Sequence, residues 1–240
     1  MSKIWFITGA GRGIGAYIAL SALEAGHWVV ATGRNAGELE SQFADYGDRV
    51  LCVPLDVAQE SQSTDAVARA IKGFGRIDVL VNNAGYGQLG LFEEVASSAI
   101  EAQFQTNVFG LIATTQALLP LLHKSKAGRI VNVSSLLGSI SEHQNPASFI
   151  YEFKGVPAYN VSKSAVNAWT IHLAHELKDT GIKVNTIHPG YVQTEMNKSG
   201  DQQNGELSVP EGARTSVRLA LIGNDGPTGG YYYFDQVLPW

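Results

Sequence analysis

Tyr159 and Lys163 lie four positions apart in the segment Tyr-Asn-Val-Ser-Lys, and this pair is the strongest sign of chemistry in the chain. On a helix, this spacing puts both side chains on the same face. An ammonium about 4 Å from a phenolate stabilises it by roughly 4 kcal/mol at an effective dielectric of about 20. That is enough to lower the pKa of a phenol from about 10 toward neutrality. The pair therefore predicts a tyrosine that exchanges a proton with an alcohol or carbonyl oxygen.

The same spacing occurs by chance on many helices, so its meaning depends on the N-terminal segment. Residues 3–8 are an apolar run and predict a strand that is buried on both faces. A glycine-rich turn, a helix over residues 16–25 and a second apolar strand at 28–32 follow. Such a turn lets the backbone approach a pyrophosphate at the positive end of a helix. An ordinary glycine-rich loop is the alternative, and the position of the turn directly after a strand favours the dinucleotide site.

The glycines of this turn allow two registers. Gly11, Gly13 and Ala16 fit the general dinucleotide fingerprint, whereas Gly9, Gly13 and Gly15 begin directly after the strand. The second register resembles the short-chain dehydrogenase/reductase family. Four further motifs support the resemblance over nearly all 240 residues: Asn82-Asn-Ala-Gly85, Asn107 in a helical stretch, Asn132-Val-Ser-Ser135, and Pro189-Gly190 with Thr194. After residue 130 the chain is most similar to the carbonyl-reductase branch, whereas residues 82–109 are also similar to hydroxysteroid-dehydrogenase relatives.

Apolar strands that alternate with amphipathic helices predict the fold. Strands are expected near residues 3–8, 28–32, 49–54, 77–81, 128–133, 182–188 and 231–234. Such units give an α/β fold: a doubly wound, Rossmann-like, mainly parallel sheet of about seven strands with helices on both faces. No linker or repeat divides the chain. Residues 1–240 therefore predict a single domain, with a cofactor half over about 1–130 and a catalytic and substrate half over about 131–240.

Composition argues against several classes of function. The net charge of −5 does not favour nucleic acid as a partner. No apolar run reaches the ~18 residues of a membrane span, and no secretory signal precedes the first strand. The one cysteine, Cys52, lies in an apolar strand and fits a reducing compartment. We therefore expect a cytoplasmic protein that acts on a small molecule, with neither nucleic acid nor a membrane as partner.

Two arginines predict the nucleotide. In the general fingerprint, an acidic residue about 20 positions past the glycines holds the ribose hydroxyls of NAD. Here Arg34 follows the second strand, no acid appears before Glu38, and Arg12 lies within the glycine turn. Guanidinium groups bind phosphate bidentately, so these cations favour NADP(H). The alternative is a pair of solvated surface arginines.

The resemblance implies further cofactor contacts. Asp56 would meet the adenine amino group, with a helix N-cap as its alternative role. Asn83 would lie under the cofactor or only shape a strand-end turn, and Thr194 would meet the nicotinamide carboxamide or only cap a helix. The expected cofactor-binding residues are Gly9, Gly11, Arg12, Gly13, Ile14, Gly15, Arg34, Asn35, Asp56, Val57, Asn83, Ala84, Gly85, Tyr159, Lys163, Pro189, Gly190, Val192 and Thr194.

By the same resemblance, the catalytic residues are Asn107, Ser135, Tyr159 and Lys163. The nicotinamide would deliver a hydride to a carbonyl carbon, while Tyr159 gives a proton to the oxygen and Ser135 hydrogen-bonds it. Lys163 would lower the pKa of Tyr159 and bind the nicotinamide ribose. Asn107 would hold a water of a proton relay, or would only satisfy local backbone. Ser134 competes with Ser135, and the family pattern favours the second serine.

Other candidates carry less chemistry. Tyr151 has Gly155 instead of lysine four positions later. The histidines are expected to contribute little. His172 and His175 share a helical face, but neither a carboxylate nor a cysteine completes a set of metal ligands there, and we predict no metal site.

Ser135 and Tyr159 are separated by 24 positions, which is more than in many family members and predicts an insertion over residues 139–157. The insertion would line a substrate wall or lie on a neighbouring surface. The predicted pocket draws on residues 86–92, 136–153, 191 and 195–207, whose aromatic and aliphatic content favours an apolar or aryl ketone or aldehyde. Relatives form dimers or tetramers, and insertions here can obstruct subunit packing, so a homo-oligomer and a monomer both stay open.

The predicted activity is the NADPH-dependent reduction of a ketone or aldehyde. An NAD(P)-linked hydroxysteroid or secondary-alcohol dehydrogenase is one alternative, and a non-catalytic NADP(H)-sensing protein is another. The fold does not separate them, because function resides in the site. The Ser–Tyr–Lys set favours an enzyme, since a sensor has no need of a tuned phenol.

Overall fold

The computed structural model describes residues 2–199 and 202–240, and its centre is an eight-stranded sheet. In chain order, the strands of these residues are β1 (Ile4–Ile7), β2 (Trp28–Gly33), β3 (Val50–Pro54), β4 (Val79–Asn82), β5 (Arg129–Val133), β6 (Lys183–Ile187), β7 (Lys198–Ser199), β8 (Gln202–Gln203), β9 (Tyr231–Tyr233) and β10 (Gln236–Val237). The order across the sheet is β3-β2-β1-β4-β5-β6-β9-β10, and β7 and β8 form a separate antiparallel pair. The strand pairs of the sheet are parallel, except for β9 with β10.

The sheet has the predicted mainly parallel, doubly wound topology and one strand more than the seven expected. Each predicted strand region contains a strand. The additional strand, β10, arises because the chain turns back at Phe234, which has a φ of 46°, and pairs with β9. A two-residue strand after a tight turn leaves no periodic signal in the sequence, so it was not predicted.

Eight α-helices lie among the described residues and connect the strands. They are α1 (Gly13–Glu24), α2 (Ala36–Gln42), α3 (Glu60–Phe74), α4 (Ser97–Phe104), α5 (Gly110–Leu122), α6 (Ile140–Gln144), α7 (Pro157–Glu176) and α8 (Val209–Leu221). Local chemistry explains several of their ends. Pro157 opens α7 at a position where a missing N–H costs nothing, and α3 ends at Gly75 in the left-handed conformation. Ser208 and Glu211 form a capping box at the start of α8.

The core consists of two apolar clusters, one on each face of the sheet. Strand β1 shows the alternation: Ile4 and Phe6 belong to one cluster, and Trp5 and Ile7 belong to the other. Successive side chains of a strand point to opposite faces, so β1 is buried on both sides by helices. The continuous apolar run in the sequence correctly predicted this burial.

The strand order reverses beside β1, which lies between β2 and β4. Open sheets of this kind bind ligands at the carboxyl ends of the strands on either side of such a point. Here Thr8 links the two ends, because its hydroxyl oxygen accepts the N–H groups of Asn83 and Ala84, each at 3.0 Å. Within residues 2–199 and 202–240, no helix combines the length and apolarity needed to cross a bilayer.

Candidate active site

The glycine turn between β1 and α1 is packed so closely that side chains would not fit. Gly9 and Gly13 have φ values of +65° and +56°, which glycine adopts without strain. A methyl group at Gly15 would collide with the carbonyl oxygen of Gly9 and the amide nitrogen of Asn83. That amide donates to the carbonyl oxygens of Thr8, at 3.0 Å, and Gly9, at 3.1 Å. The turn is thus held against the end of β4, where an extended nucleotide could lie along it.

A surface cavity of about 590 Å³ continues from the glycine turn toward α2. Its lining residues are Gly11, Asn35, Gly37, Glu38, Ser41 and Gln42. Arg34 is exposed at the end of β2 next to it. The two segments are close, because a methyl group on Gly33 would lie 3.7 Å from the backbone nitrogen of Gly11.

Arg12 is the first residue before α1 and forms an ion pair across the cleft. Its Nη1 lies 3.2 Å from Oε2 of Glu195, and both side chains are more than half exposed. Glu195 follows Thr194, and a methyl group on Gly13 would lie 3.6 Å from the Thr194 side chain. The segment after β6 therefore covers the glycine turn, and its Glu195 side chain pairs with Arg12, the arginine that is predicted to bind phosphate.

Asn35 and Asp56 organise the loops after β2 and β3. The Asn35 side-chain oxygen caps α2 by accepting the N–H groups of Gly37 and Glu38. The Asp56 carboxylate accepts the N–H of Ala58 at 3.0 Å, within its own loop. The alternative role of Asp56 as a helix N-cap is wrong, because α3 begins four positions later, after Gln59. Val57 is buried against Gly110.

The segment after β6 is shaped by Pro189 and Gly190, which has a φ of +88°. Val192 is buried and pairs with Leu207 as an isolated bridge, so the two ends of the intervening loop meet. Gly200 and Asp201, which belong to the predicted pocket segment 195–207, lie outside the described residues.

Lys163 is buried in α7 beneath the end of β5. Only 5% of its surface is exposed, and its amine donates to the carbonyl oxygen of Val133 at 2.8 Å. The Ser134 hydroxyl donates to the main-chain oxygen of Lys163 and is therefore directed into α7. Ser135 is 8% exposed, and its hydroxyl oxygen accepts the N–H of Leu137 at 3.3 Å. Burial lowers the pKa of Lys163 to about 8.

The pKa of Tyr159 differs from the sequence-based expectation. Burial raises it to about 12, and a hydrogen bond from the Ser135 hydroxyl offsets only part of this rise. The direction of this change is opposite to the one expected from the spacing of Tyr159 and Lys163. The amine lies 5.6 Å from the centre of the Tyr159 ring and donates a hydrogen bond to the carbonyl oxygen of Val133.

Asn107 lies in a π-helical turn, Gln105–Phe109, between α4 and α5. Such turns are frequent at functional sites. Its side chain is fully engaged: the oxygen accepts the N–H of Tyr86, and the amide donates to the Tyr86 carbonyl and the Ser162 hydroxyl. Asn107 therefore satisfies local backbone groups at Tyr86, which is the alternative role considered for it.

The loop after β4 closes the site from the other side. A methyl group on Gly85 would lie 3.1 Å from the Asn107 side-chain oxygen and 3.6 Å from the Lys163 amine. A methyl group on Gly87 would lie 3.7 Å from the Tyr159 ring. All four predicted catalytic residues are thus brought together at the carboxyl edge of the sheet, beside the glycine turn.

The insertion between Ser135 and Tyr159 contains the short helix α6 and an extended loop. Ile150 and Val156, which belong to the segment expected to line a substrate wall or lie on a neighbouring surface, are buried. The aromatic side chains of Phe149, Tyr151 and Phe153 are exposed, Phe149 by 77%. The insertion is tied to the loop after β4 through a hydrogen bond from the N–H of Gly90 to the carbonyl of Gly155 at 2.8 Å.

The sequence did not indicate two side chains that lie near the site. His188 accepts the N–H of Leu136, the residue after Ser135, although the histidines were expected to contribute little. Its position directly before Pro189 was the available signal. Gln103 is fully buried and holds the loop after β4, since it donates to the Tyr86 carbonyl and accepts the N–H of Gln88. No sequence pattern distinguishes it from other helical glutamines.

Known proteins resemble the chain in both sequence and structure. The family model described as short chain dehydrogenase matches residues 3–205. Oxidoreductase BOA17 of Botryotinia fuckeliana is 38% identical over 203 residues, which are 84% of this chain and 70% of that protein. The solved structure of ElxO with NADP bound has a TM-score of 0.84 and 29% identity, with 96% of each chain covered.

The NADPH-bound carbonyl reductase from chicken fatty liver has a TM-score of 0.87, with 100% of this chain and 99% of that chain covered. The two sequences are 24% identical, so this comparison shows a similar fold and nothing more. The family match and the related oxidoreductase are consistent with the glycine turn and the Ser135, Tyr159 and Lys163 arrangement. The chain is an oxidoreductase that belongs to the short-chain dehydrogenase family.

Proposed function

We propose that this protein uses NADPH to reduce a ketone or aldehyde to an alcohol, with Tyr159 as the proton donor. The observation that carries this proposal is the convergence of Ser135, Tyr159 and Lys163 beside the glycine turn. When bound, the reduced nicotinamide supplies a hydride to the carbonyl carbon. Tyr159 gives its hydroxyl proton to the carbonyl oxygen, which completes the alcohol.

The protonation state of Tyr159 supports its role as the proton donor. A proton donor must carry its proton at working pH, and a pKa of about 12 keeps this phenol protonated. Oxidation of an alcohol would require the phenolate, which the buried surroundings disfavour. Because cofactor and substrate concentrations set the net direction, the protonated phenol supports Tyr159 as the donor in the proposed reduction.

Ser135 and Lys163 support the proton transfer in different ways. The Ser135 hydroxyl already interacts with Tyr159 and would donate a hydrogen bond to the carbonyl oxygen as negative charge develops there. Lys163, with a pKa of about 8, is mostly protonated near neutral pH and can return a proton to the tyrosine after transfer. Its attraction for the phenolate would assist the step at the moment when that charge forms.

The charges at the other end of the cleft support NADPH as the cofactor. Arg12 and Arg34 stand beside the cavity between the glycine turn and α2. The carboxylate of Glu38 lines the same cavity and would oppose a 2′-phosphate, but it is hydrogen-bonded to the Asn35 amide at 2.9 Å. A second carboxylate, Glu195, pairs with Arg12, and the bidentate fit of guanidinium groups to phosphate is what favours the 2′-phosphate. The NADP named for the structural neighbour ElxO fits this proposal.

Exposed apolar side chains on the loop after β4 and on the insertion before Tyr159 support an uncharged substrate with an aryl or aliphatic body. Leu89 and Phe92, on the loop after β4, are 73% and 80% exposed. Phe149 and Phe153 are exposed on the insertion, which is hydrogen-bonded to that loop. Apolar surface of this kind gains from being covered by an apolar ligand.

A screen for carbonyl-dependent oxidation of NADPH and NADH tests this function. Aryl ketones, aliphatic ketones and aldehydes would be compared with analogues that carry a carboxylate. We expect uncharged aryl compounds to consume NADPH fastest, and NADH to be used more slowly. If the protein binds NADPH but no carbonyl compound accelerates its oxidation, the proposed activity is wrong and a cofactor-sensing role is favoured.

A further inference from the structure

The hydrogen-bond ladder between β5 and β6 ends on a side chain. The N–H of Ser134 bonds to the carbonyl of Ile187 at 2.8 Å, as in a regular parallel pair. Two residues later, the N–H of Leu136 bonds instead to Nδ1 of His188 at 3.1 Å. The backbone beyond His188 turns away at Pro189 and Gly190, so the imidazole supplies the acceptor that the strand no longer offers.

The surroundings of His188 fix which ring nitrogen accepts. The ring packs against Tyr233 with 5.2 Å between ring centres. Burial lowers the pKa of His188 to about 4, so the ring is neutral near neutral pH. A neutral imidazole has one acceptor nitrogen, and Nδ1 accepts from Leu136, so the proton resides on Nε2.

The peptide held by His188 starts the single helical turn Leu136–Gly138 that carries Ser135 at its N-terminal end. The Ser135 hydroxyl accepts the N–H of Leu137 at 3.3 Å, and the Ser135 carbonyl accepts the N–H of Gly138 at 2.8 Å. A methyl group on Gly138 would lie 2.7 Å from the backbone of Lys163, so this turn rests directly on α7. The direction of the Ser135–Leu136 peptide thus sets the direction of the Ser135 hydroxyl relative to Tyr159.

We infer that His188 is a positioning residue for Ser135, acting through the hydrogen bond from the Leu136 N–H to its Nδ1. His188 does not touch the reacting atoms. It accepts the hydrogen bond of the Leu136 N–H. Without this acceptor, the Ser135–Leu136 peptide would be free to rotate, and the Ser135 hydroxyl would move away from the carbonyl oxygen of the substrate. The kinetic part of this inference rests on the proposed carbonyl reduction.

Two substitutions separate this role from simple packing. In His188→Asn, the amide oxygen takes a place close to that of Nδ1, whereas in His188→Gln it reaches the place of Nε2. We expect His188→Asn to keep kcat near the wild-type value and His188→Gln to lower it about 10-fold, because a buried N–H loses its acceptor. NADPH affinity should be unchanged in both. Equal losses in the two variants, or no loss in either, would overturn the inference.

The same substitution in a Ser135→Ala background tests whether the effect passes through the serine. Residues that act as a unit show strongly non-additive losses. His188→Gln should therefore lower kcat by much less than 10-fold once the serine hydroxyl is absent. A full additional loss in that background would show that His188 acts by another route and would contradict the inference.

Nuclear magnetic resonance gives a readout that does not depend on activity. The nitrogen shifts of the His188 ring should show an unprotonated Nδ1 and a protonated Nε2 at neutral pH. Exchange of the Leu136 amide should be slow in wild type and His188→Asn, and faster in His188→Gln. If wild type reduces no carbonyl compound, only the proposed function fails; a proton on Nδ1 or an unprotected Leu136 amide would refute the positioning contact itself.

Discussion

The two ends of the cleft are built from opposite kinds of polar group. At the glycine-turn end, Arg12, Arg34 and Glu195 carry full charges on exposed side chains. At the tyrosine end, Ser135 and Lys163, together with Tyr159, are held in buried surroundings with few charges. The first end is suited to attract an anion from solvent, and the second is suited to hold protons in fixed places.

This difference determines how each end responds to change. Exposed charges are screened by salt, and each contributes little by itself. Buried polar groups are costly to leave unpaired, and their pKa values shift strongly with the environment. Substitutions at the tyrosine end should therefore have large effects that depend on pH, and those at the glycine-turn end should have smaller effects that depend on salt.

Apart from substitution of Tyr159 itself, the largest effect in this comparison is expected for Ser135→Ala, with Ser134→Ala as its matched control. Loss of a hydrogen bond to the developing oxyanion typically lowers kcat by about 10²–10³-fold. Ser134 bonds to the Lys163 carbonyl, so its removal should lower stability by about 1 kcal/mol and leave turnover near wild type. Steady-state reduction kinetics with a competent substrate measures both. Equal losses in the two variants would show that Ser135 has no special role.

Arg34→Asp should change the cofactor preference by about 10- to 100-fold, because hydrogen bonds to charged groups contribute about 1.5–3 kcal/mol. The affinity for NADPH should fall and that for NADH should rise, as measured by titration of protein fluorescence. In wild type, added salt should weaken NADPH binding more than NADH binding. An unchanged ratio of the two affinities would mean that Arg34 is a solvated surface residue.

The buried lysine should make stability rise with pH. Its pKa is lowered from 10.5 in the unfolded chain to about 8 in the folded protein, so unfolding takes up a proton between these values. The free energy of unfolding of the cofactor-free protein should increase above pH 8, by at most about 1.4 kcal/mol per pH unit. Above pH 10 the raised pKa of Tyr159 acts in the opposite direction, which limits the useful window to about pH 8–10.

Urea unfolding of Lys163→Met at several pH values isolates this contribution. The variant should lose the increase between pH 8 and 10, whereas Lys178→Met, at an exposed position, should retain it. If wild type and Lys163→Met show the same pH dependence, the amine is not buried in the way described.

The smallest effect is expected for Glu195→Gln, which removes the carboxylate that pairs with Arg12. Exposed ion pairs are worth up to about 1 kcal/mol, so NADPH should bind about two- to fivefold more tightly at low salt. NADH affinity should stay constant, and Glu206→Gln on the same segment serves as the control. Equal tightening for NADPH and NADH would indicate that Arg12 does not contact the 2′-phosphate.

Much of this architecture could be predicted from the sequence, because it depends on local patterns. Continuous apolar runs located seven of the eight strands of the main sheet, and glycines after β1 indicated the close approach of the backbone seen at Gly15. The four-residue spacing put Tyr159 and Lys163 on one helix. These features follow from strand and helix periodicity and from the size of glycine, which a sequence records directly.

Properties that depend on distant contacts could not be predicted. Spacing along α7 does not reveal that Lys163 bonds to Val133 on β5, or that burial raises the pKa of Tyr159. The contact of His188 with Leu136 depends on two strands that end side by side. In the insertion, exposed Phe149 and buried Ile150 are adjacent in sequence, and only tertiary packing distinguishes them.

The central claim is that Tyr159 supplies the proton that accompanies hydride transfer. It is tested most directly by the single-turnover oxidation of bound NADPH by a carbonyl compound in Tyr159→Phe, with Tyr151→Phe as the control. NADPH affinity is measured on the same samples. We predict that Tyr159→Phe binds NADPH normally and loses about 10²–10⁴-fold in rate, whereas Tyr151→Phe resembles wild type. A Tyr159→Phe variant that oxidises NADPH at the wild-type rate would contradict the account.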